Sequence, residues 1–529
     1  MTWKPSISRR ELMGGAFGAG LMASTGGLLL SGCGRSARHT ISNHEAEAGP
    51  PRHGGRIRVA SLASSTADTL DPAKAALSTD YIRHNMFYNG LMRYDRLLNA
   101  QPELAESIDT TDQQSWRVKL RKDVVFHDGK PLTSADVVFS LLRHKAAATA
   151  SKVKAVADQF ADVRADGSNE VLIQLTGRNV DLPALLAQSQ FLIIRDGTSE
   201  FHTANGTGPF RCAEFRPGER TVGVRNPNYW KHGRPYLDSI ELIGIPDEIS
   251  RVNALLSGDV HLINAVSPLS TRRIDETPGY AVMATPSGLY TDLIMQQTML
   301  PTANPHFTLG MKYLFDRELI QRAIFGNYAT IANDQPIPPT NRYYNPEIPQ
   351  RTYDPDRAKY HIRMAGLTGA RLPMFASPAA EGSVDMASVL QEYGSKAGLS
   401  LAVNRVPADG YWSTHWMKHP LTFGNTNPRP TADLLFSLCY KSDAAWNESH
   451  WNNPTFDRLL VEARGEPDEQ RRKTLYGEMQ QLVHDHCGVA IPVFISLIDG
   501  NDQRLKGLYP IPIGGLMGYL FADQVWWEG

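Results

Sequence analysis

Aromatic and polar side chains suited to holding a small molecule are concentrated between residues 411 and 433. Aromatic walls with a few directed polar groups are typical of a small-molecule site, and a guanidinium can pair in bidentate fashion with a carboxylate or phosphate. We therefore predict ligand contacts from Trp412, Trp416, Asn425, Asn427 and Arg429. The alternative is that the tryptophans pack between subdomains and that Arg429 is an ordinary surface residue.

Three histidine-containing motifs raise the question of metal or catalytic chemistry. His127-Asp128-Gly129 has no second His/Asp pair at a useful spacing, so we expect a structural turn there. His415 and His419 have i, i+4 spacing and His484-Asp485-His486 is compact, but exposed polar helix faces explain both more simply than a metal site. The sequence contains no Gly-x-Ser-x-Gly and no His-Glu-x-x-His motif. We predict no catalytic residue, no metal site and no cofactor.

The N-terminal segment has the features of an export signal. Arg9-Arg10 precedes an uncharged, glycine-rich run over residues 12–30, which is typical of an export signal, and the arginine pair indicates the twin-arginine route. Leu30-Ser31-Gly32-Cys33 resembles the lipobox of bacterial lipoproteins, in which the cysteine is acylated. We predict a signal peptide over 1–32, lipid attachment at Cys33 and a flexible tether over 33–55. A signal-anchor helix is the alternative, which the glycines disfavour.

Composition limits the classes of function and of fold that remain possible. The 529 residues carry a net charge of −1, which gives no electrostatic reason to expect binding to nucleic acid or to an anionic membrane surface. A chain of this length exceeds what one core usually supports, so two or more domains are expected. Cys212, Cys439 and Cys487 have no short spacing, which argues against a disulfide framework; one bridge between Cys439 and Cys487 stays open.

The elements that must position these residues alternate between strand and helix. Trp116 to Arg121 predicts a strand, because Trp116, Val118 and Leu120 fall on one face. The turn at Asp128-Gly129 follows, and Thr133 with Asp136 then predicts the capped start of a helix. This mixture indicates an α/β protein with at least two lobes.

A series of motifs resembles family 5 of the extracellular solute-binding proteins, the dipeptide-, oligopeptide- and nickel-binding components of ABC importers. The motifs follow the family order over residues 57–494. They include Leu70-Asp71-Pro72, Tyr88-Asn89-Gly90-Leu91, Val125-Phe126-His127-Asp128-Gly129, Gly206-Thr207-Gly208-Pro209-Phe210, Arg225-Asn226-Pro227-Asn228-Tyr229-Trp230, Phe315-Asp316-Arg317-Glu318 and Tyr353-Asp354-Pro355.

The resemblance implies a two-lobed periplasmic-binding-protein fold of type II, with an extra subdomain and a hinge between the lobes. It places lobe 1 at 56–288, with the subdomain at about 78–205, and lobe 2 at 289–494. Residues 495–529 then return to lobe 1, so the chain crosses between the lobes near 288 and 494.

The resemblance also implies a function: capture of a peptide or a peptide-like or opine-like solute, and its delivery to an ABC permease that a separate ATPase drives. We expect a non-enzymatic monomer in the periplasm or cell envelope, held at the membrane by its N-terminal lipid. A nickel or metal-chelate binder of the same family is one alternative, and a secreted hydrolase is an alternative from another class.

Two points of the comparison with the family concern the ligand. By analogy alone, Gln296 is a contact from the second lobe. In peptide-binding relatives the stretch that corresponds to residues 424–430 supplies an aspartate for the peptide's α-ammonium, but here no acid occurs before Asp433. This departure argues against ordinary dipeptide recognition, and Arg429 favours an anionic or zwitterionic solute.

Overall fold

The computed structural model describes residues 49–62 and 65–528. The predicted signal peptide and Cys33 lie outside these residues, as does most of the predicted tether. Within the described ranges, no helix combines the length and the apolar character that crossing a bilayer requires.

Strands and helices are interspersed along the described chain, as expected for an α/β protein. The strands are β1 (Arg56–Ser61), β2 (Met92–Tyr94), β3 (Ala100–Pro102), β4 (Ala105–Thr110), β5 (Ser115–Leu120), β6 (Phe160–Ala165), β7 (Glu170–Leu175), β8 (Phe210–Arg216), β9 (Arg220–Arg225), β10 (Ser239–Gly244), β11 (Leu262–Ile263), β12 (Tyr280–Met295), β13 (Ala329–Ile331), β14 (Arg371–Ala376), β15 (Ser400–Arg405), β16 (Leu421–Thr426), β17 (Val489–Ala490), β18 (Val493–Asp502), β19 (Leu505–Lys506) and β20 (Trp526–Trp527). The helices are α1 (Ser78–Phe87), α2 (Ser134–Leu142), α3 (Lys154–Ala157), α4 (Leu182–Leu185), α5 (Glu248–Leu256), α6 (Pro268–Asp275), α7 (Pro305–Tyr313), α8 (Arg317–Leu319), α9 (Pro355–Met364), α10 (Ser383–Lys396), α11 (Tyr411–Thr414), α12 (Ala432–Cys439), α13 (Pro454–Gly465), α14 (Glu469–His486) and α15 (Gly515–Gly518).

One mixed sheet runs through the molecule in the order β15-β14-β16-β12-β18-β11-β1-β10-β9-β8, with β13 beside β18 and β17 beside β12. We call the part built on β1 and β8–β11 the first lobe, and the part built on β13–β17 the second lobe. Residues 280–285 and Leu289 of β12 pair with β18, whereas residues 290–295 pair with β16. Both β12 and β18 therefore serve the two lobes. The predicted crossings near 288 and 494 fall on these strands, and the predicted domain limits stay predictions.

Separate hydrophobic clusters stabilise the different parts of the chain. The antiparallel sheet β4-β5-β7-β6 and α2 enclose a cluster drawn almost wholly from residues 91–193, inside the range predicted for the extra subdomain. In the second lobe, one cluster surrounds Met374 and Phe423. Another surrounds Phe436 and Tyr476 and joins α12, α13 and α14. Burial of this kind contributes roughly 25 cal/mol per Å² of apolar surface, and it fixes the elements that carry the site below.

The sequence predictions of local structure in the extra subdomain are confirmed. The inward face of β5 is formed by Trp116, Val118 and Leu120, which are all buried. At the start of α2, the Thr133 N–H donates to Asp136 Oδ2 at 2.8 Å, which is the reciprocal contact of a capping box.

The cysteines form no bridge within the described residues. Cys212, Cys439 and Cys487 are all free thiols, so the pairing of Cys439 with Cys487 that the sequence left open is absent.

Candidate ligand-binding site

A cavity in the second lobe brings together five of the six residues that the sequence predicts as ligand contacts. It encloses about 460 Å³, and every lining residue lies between positions 379 and 448. This volume falls within the range of roughly 300–1,000 Å³ that small-molecule sites occupy. The predicted contacts along the wall are Trp412, Trp416, Asn425, Asn427 and Arg429.

The tryptophan wall is tied to the sheet by a buried tyrosine. The Tyr411 hydroxyl donates to the Phe423 carbonyl oxygen at 2.6 Å and accepts from the Phe423 N–H at 3.0 Å. Because Phe423 lies in β16, this exchange fixes the start of α11. The rings of Trp412 and Trp416 then stand nearly perpendicular, at 81° with centroids 5.8 Å apart. Trp412 keeps 42% of its surface exposed, so an apolar ring face remains available to a ligand.

The polar wall comes from the end of β16. Asn425 lies opposite Thr291 of β12, and its Nδ2 donates to Thr291 Oγ1 at 3.0 Å. Asn427 follows the last residue of the strand and is exposed. The strand thus presents two amides to the cavity, one fixed by the sheet and one at its end.

Arg429 is the cation of the cavity, between Pro428 and Pro430. Its guanidinium lies 5.6 Å from the centroid of the Trp446 ring, a cation–π distance. Its Nε is buried and has no hydrogen-bond partner among residues 65–528. Because a buried donor without an acceptor costs about 1–3 kcal/mol, this arginine is suited to an anionic group supplied from outside the chain.

Two carboxyl groups also belong to the site. Glu448 lines the cavity and accepts a 2.7 Å hydrogen bond from the Trp416 indole N–H. Asp292 of β12 lies behind it and is fully buried. A Cβ placed on Gly424 would stand 2.6 Å from Asp292 Oδ1 and 2.6 Å from Glu448 Oε2. Only glycine therefore leaves room for these two side chains, which we call the acid pair.

The acid pair has strongly altered protonation. Burial and the neighbouring Glu448 carboxylate raise the pKa of Asp292 well above its usual value. Burial raises the pKa of Glu448 to about 7, against the opposing effect of the Trp416 hydrogen bond. Two like charges in a site of low dielectric constant cannot both ionise readily, so the two groups share a proton near neutral pH.

Gln296 does not line the cavity, unlike the other predicted contacts. It is fully buried, its Nε2 donates to the backbone carbonyl of Glu448, and its Oε1 lies 2.8 Å from His450 Nδ1. The side chain holds the loop that carries Glu448, and its part in the site is to position that loop.

The other histidines and the acid singled out from the sequence have structural surroundings. His127 Nε2 is 3.1 Å from the Gly208 carbonyl oxygen, in a turn. His419 stacks on Phe375 at 3.8 Å. Asp433 is buried and ion-paired to Arg464 Nε at 3.0 Å, so it is not available to a ligand's ammonium group.

Sequence reasoning missed Trp446 and the acid pair. These residues come from β12 and from the loop after α12, more than 100 positions apart, and only the pairing of β12 with β16 brings them together. One signal was present: Asp292 is a lone acid within the apolar run Leu289–Met295, and a charged side chain at a buried strand position suggests a functional site.

Comparison with known proteins assigns the family. The family model for bacterial extracellular solute-binding proteins, family 5, matches residues 99–447. This chain belongs to that family. The glutathione-binding protein GsiB of Pectobacterium atrosepticum is 24% identical over 475 residues, which cover 85% of this chain and 90% of the relative.

Solved structures show the same two-lobed fold. DppA of Helicobacter pylori, a periplasmic binding protein in complex with the peptide STSA, has a TM-score of 0.77 at 21% identity and covers 90% of this chain and 99% of its own. AgaA of A. tumefaciens R10, in complex with agropinic acid, has a TM-score of 0.75 at 20% identity, with 90% and 99% coverage. This solute-binding protein thus has the type II fold that its sequence predicts.

Proposed function

We propose that this protein captures a peptide-like or opine-like solute outside the cytoplasmic membrane and delivers it to the permease of an ABC importer. The observation that carries the proposal is the cavity of the second lobe, where Arg429 stands among three tryptophans and its buried Nε has no hydrogen-bond partner within residues 65–528. A positively charged side chain inside aromatic walls is suited to binding a small anionic or zwitterionic solute. The named ligands of two similar proteins, glutathione and agropinic acid, contain carboxylate groups and support this class.

Capture requires a contribution from both lobes. Tyr81 of α1, in the first lobe, stacks on Tyr519 with ring centroids 5.3 Å apart. Burial raises the pKa of Tyr81, and the hydrogen bond from Gln190 and the positive charge of Arg429 act against that rise. A solute that contacts both surfaces stabilises the closed arrangement, while β12 and β18 accommodate the movement. No step of this cycle breaks a bond in the solute.

The test begins with whatever solute the protein retains. Mass spectrometry of native protein should show a co-purifying molecule with at least one carboxylate or phosphate. Thermal unfolding with a panel of dipeptides, glutathione, opines and nickel–histidine should then show a rise in Tm for the matching class. A nickel response together with metal in the purified protein would support a metal-chelate binder instead. Turnover of a panel member would support the hydrolase.

The variant Arg429→Gln tests the anionic end of the site. A charged hydrogen-bonded pair is worth about 1.5–3 kcal/mol, so affinity for the responding solute should fall roughly 10- to 100-fold. Arg458→Gln is the matched control, because Arg458 is an exposed arginine of α13 outside the cavity. Equal affinities of the two variants would contradict the proposal.

We also propose that the protein leaves the cytoplasm by the twin-arginine route and is held at the membrane by lipid on Cys33. The support is the sequence Arg9-Arg10 followed by Leu30-Ser31-Gly32-Cys33. Replacing both arginines by lysine should block export. Cys33→Ala should abolish incorporation of labelled palmitate and release the protein from the membrane fraction. Incorporation that persists in Cys33→Ala would contradict lipid attachment at this residue.

A further inference from the structure

The acid pair lacks the partner that buried carboxylates normally have. Apart from Glu448, no side chain within residues 65–528 donates a hydrogen bond to either carboxylate oxygen of Asp292. Its hydrogen-bond partner is another carboxyl group, that of Glu448, and oxygens of both residues lie within 3 Å of the position that a Cβ on Gly424 would take. Two buried carboxyl groups in this arrangement must hold a cation between or beside them, whether that is a proton or a positive group of a ligand.

The surrounding side chains do not supply that cation. Five ionisable side chains among the described residues interact electrostatically with Asp292 or Glu448, and each is a phenol or a thiol. The indole of Trp416 donates one hydrogen bond to Glu448. The five ionisable side chains are Tyr290, Tyr411, Cys439, Tyr440 and Cys487. Burial raises the pKa of each of them, so they stay neutral at physiological pH.

The acid pair opens toward the cavity, next to its aromatic wall. Glu448 is itself a lining residue, beside Trp412 and Trp416. Indole rings beside a carboxylate can combine cation–π attraction with a counter-charge, and aromatic side chains of this kind recognise ammonium groups in proteins. Arg429, which can bind an anionic group, lines the same cavity. The site therefore offers one partner for a positive group of the solute and one for a negative group.

We infer that the acid pair, with Trp412 and Trp416, binds a protonated amine of the solute while Arg429 binds its acidic group, so the ligand is a zwitterion. This inference rests on the proposed capture function and narrows it to one chemical class. The negative charge that pairs with the amine then comes from Asp292 of β12 and from Glu448 of the loop after α12. Residues 424–430 contain no acid, and the first acid after them, Asp433, is held by Arg464. In the empty site a proton takes the place of the amine, and binding releases it.

The experiment compares matched probes that differ only in the positive charge. Each dipeptide of the panel and its N-acetylated counterpart is titrated calorimetrically into the native protein, at pH 6.5 in two buffers of different ionisation enthalpy. We expect acetylation to weaken binding at least tenfold. The free amine should release close to one proton per solute bound, and the acetylated form should release none.

The variants Glu448→Gln and Asp292→Asn separate recognition from folding. Each should bring the affinities of the two probe forms within about threefold of each other and abolish proton release, and circular dichroism checks that the fold is retained. Glu478→Gln, at an exposed position of α14, is the control and should keep full discrimination. A variant that weakens both probe forms equally indicates a structural role and overturns the inference.

The remaining outcomes also decide the question. A protein that binds anionic solutes but binds no amine better than its acetylated form retains the capture function and overturns this inference. A co-purified solute that contains no basic nitrogen would also overturn this inference and leave the capture function in place. If no solute of either kind binds and none co-purifies, both the capture function and this inference fail.

Discussion

Glu448→Gln should change how the stability of the empty protein depends on pH. The pKa of Glu448 is raised from 4.5 to about 7 in the folded state, so the folded protein binds this proton more tightly than the unfolded chain does. The stabilisation is fully present below pH 4.5 and is lost as pH rises through 7. Since a tenfold change in proton affinity is worth about 1.4 kcal/mol, the loss amounts to roughly 3 kcal/mol.

Glutamine is the informative replacement because it has nearly the same shape and no charge to bury. Its amide oxygen can accept the Trp416 hydrogen bond, and its NH₂ group supplies the donor that Asp292 lacks. At pH 5 the variant and the parent should have similar stability. At pH 8 the variant should be more stable by up to about 3 kcal/mol, which for a chain of this length corresponds to a rise in Tm of roughly 3 °C.

The assay is thermal unfolding of solute-free protein, followed by tryptophan fluorescence at half-unit steps from pH 5 to pH 8. Glu478→Gln is the control, at an exposed position of α14, and its Tm should follow the parent at every pH. The reasoning is refuted if Glu448→Gln lowers Tm at pH 8, or if the difference from the parent does not grow between pH 5 and pH 8.

Three further predictions concern packing and buried groups. Gly424→Ala should lower the free energy of unfolding by about 1–3 kcal/mol, because its Cβ would stand less than 3 Å from oxygens of both Asp292 and Glu448. An unchanged Tm would show that the pair has room to move. Asp334→Asn should lower the free energy of unfolding by about 3–5 kcal/mol, because Asp334 is fully buried between two buried arginines, Arg317 and Arg351. The charges of these arginines hold the pKa of Asp334 down at about 2, against the effect of burial. Asp443→Asn, at an exposed position, is the control, and equal Tm values for the two variants would contradict the stabilising role of the buried ion pairs. Cys439 and Cys487 are buried free thiols, so they should react with Ellman's reagent only after unfolding, and a missing reaction in denaturant without reductant would indicate a bridge.

Local predictions succeeded where neighbouring residues carry the information. The alternation of Trp116, Val118 and Leu120 indicates the buried face of β5 without reference to the rest of the chain. The side chains of Thr133 and Asp136 cap α2 through contacts three residues apart. The five predicted contacts that line the cavity also lie within eighteen residues of one another, and their contact with a ligand stays a prediction.

Prediction failed where a contact depends on strand pairing. Gln296 was chosen by analogy, but it follows the last residue of β12, and its buried side chain donates to the Glu448 backbone and does not line the cavity. Asp292 was not predicted as a site residue, because no residue near it in the sequence shows which group its side chain faces. Its partner, Glu448, is known only once Gly424 is placed opposite Asp292.

The sequence by itself determined the family, the order of the main elements and the segment that forms most of the cavity wall, because periodicity, capping and ordered motifs are short-range properties. It also predicted that Arg429 offers a positive charge to an anion, which stays a prediction. Only the tertiary structure decided that two acids more than 150 residues apart meet behind that wall, close enough to share a proton. The physical reason is that their meeting depends on the pairing of β12 with β16 and on the missing Cβ of Gly424, and the sequence alone does not specify which distant strands pair.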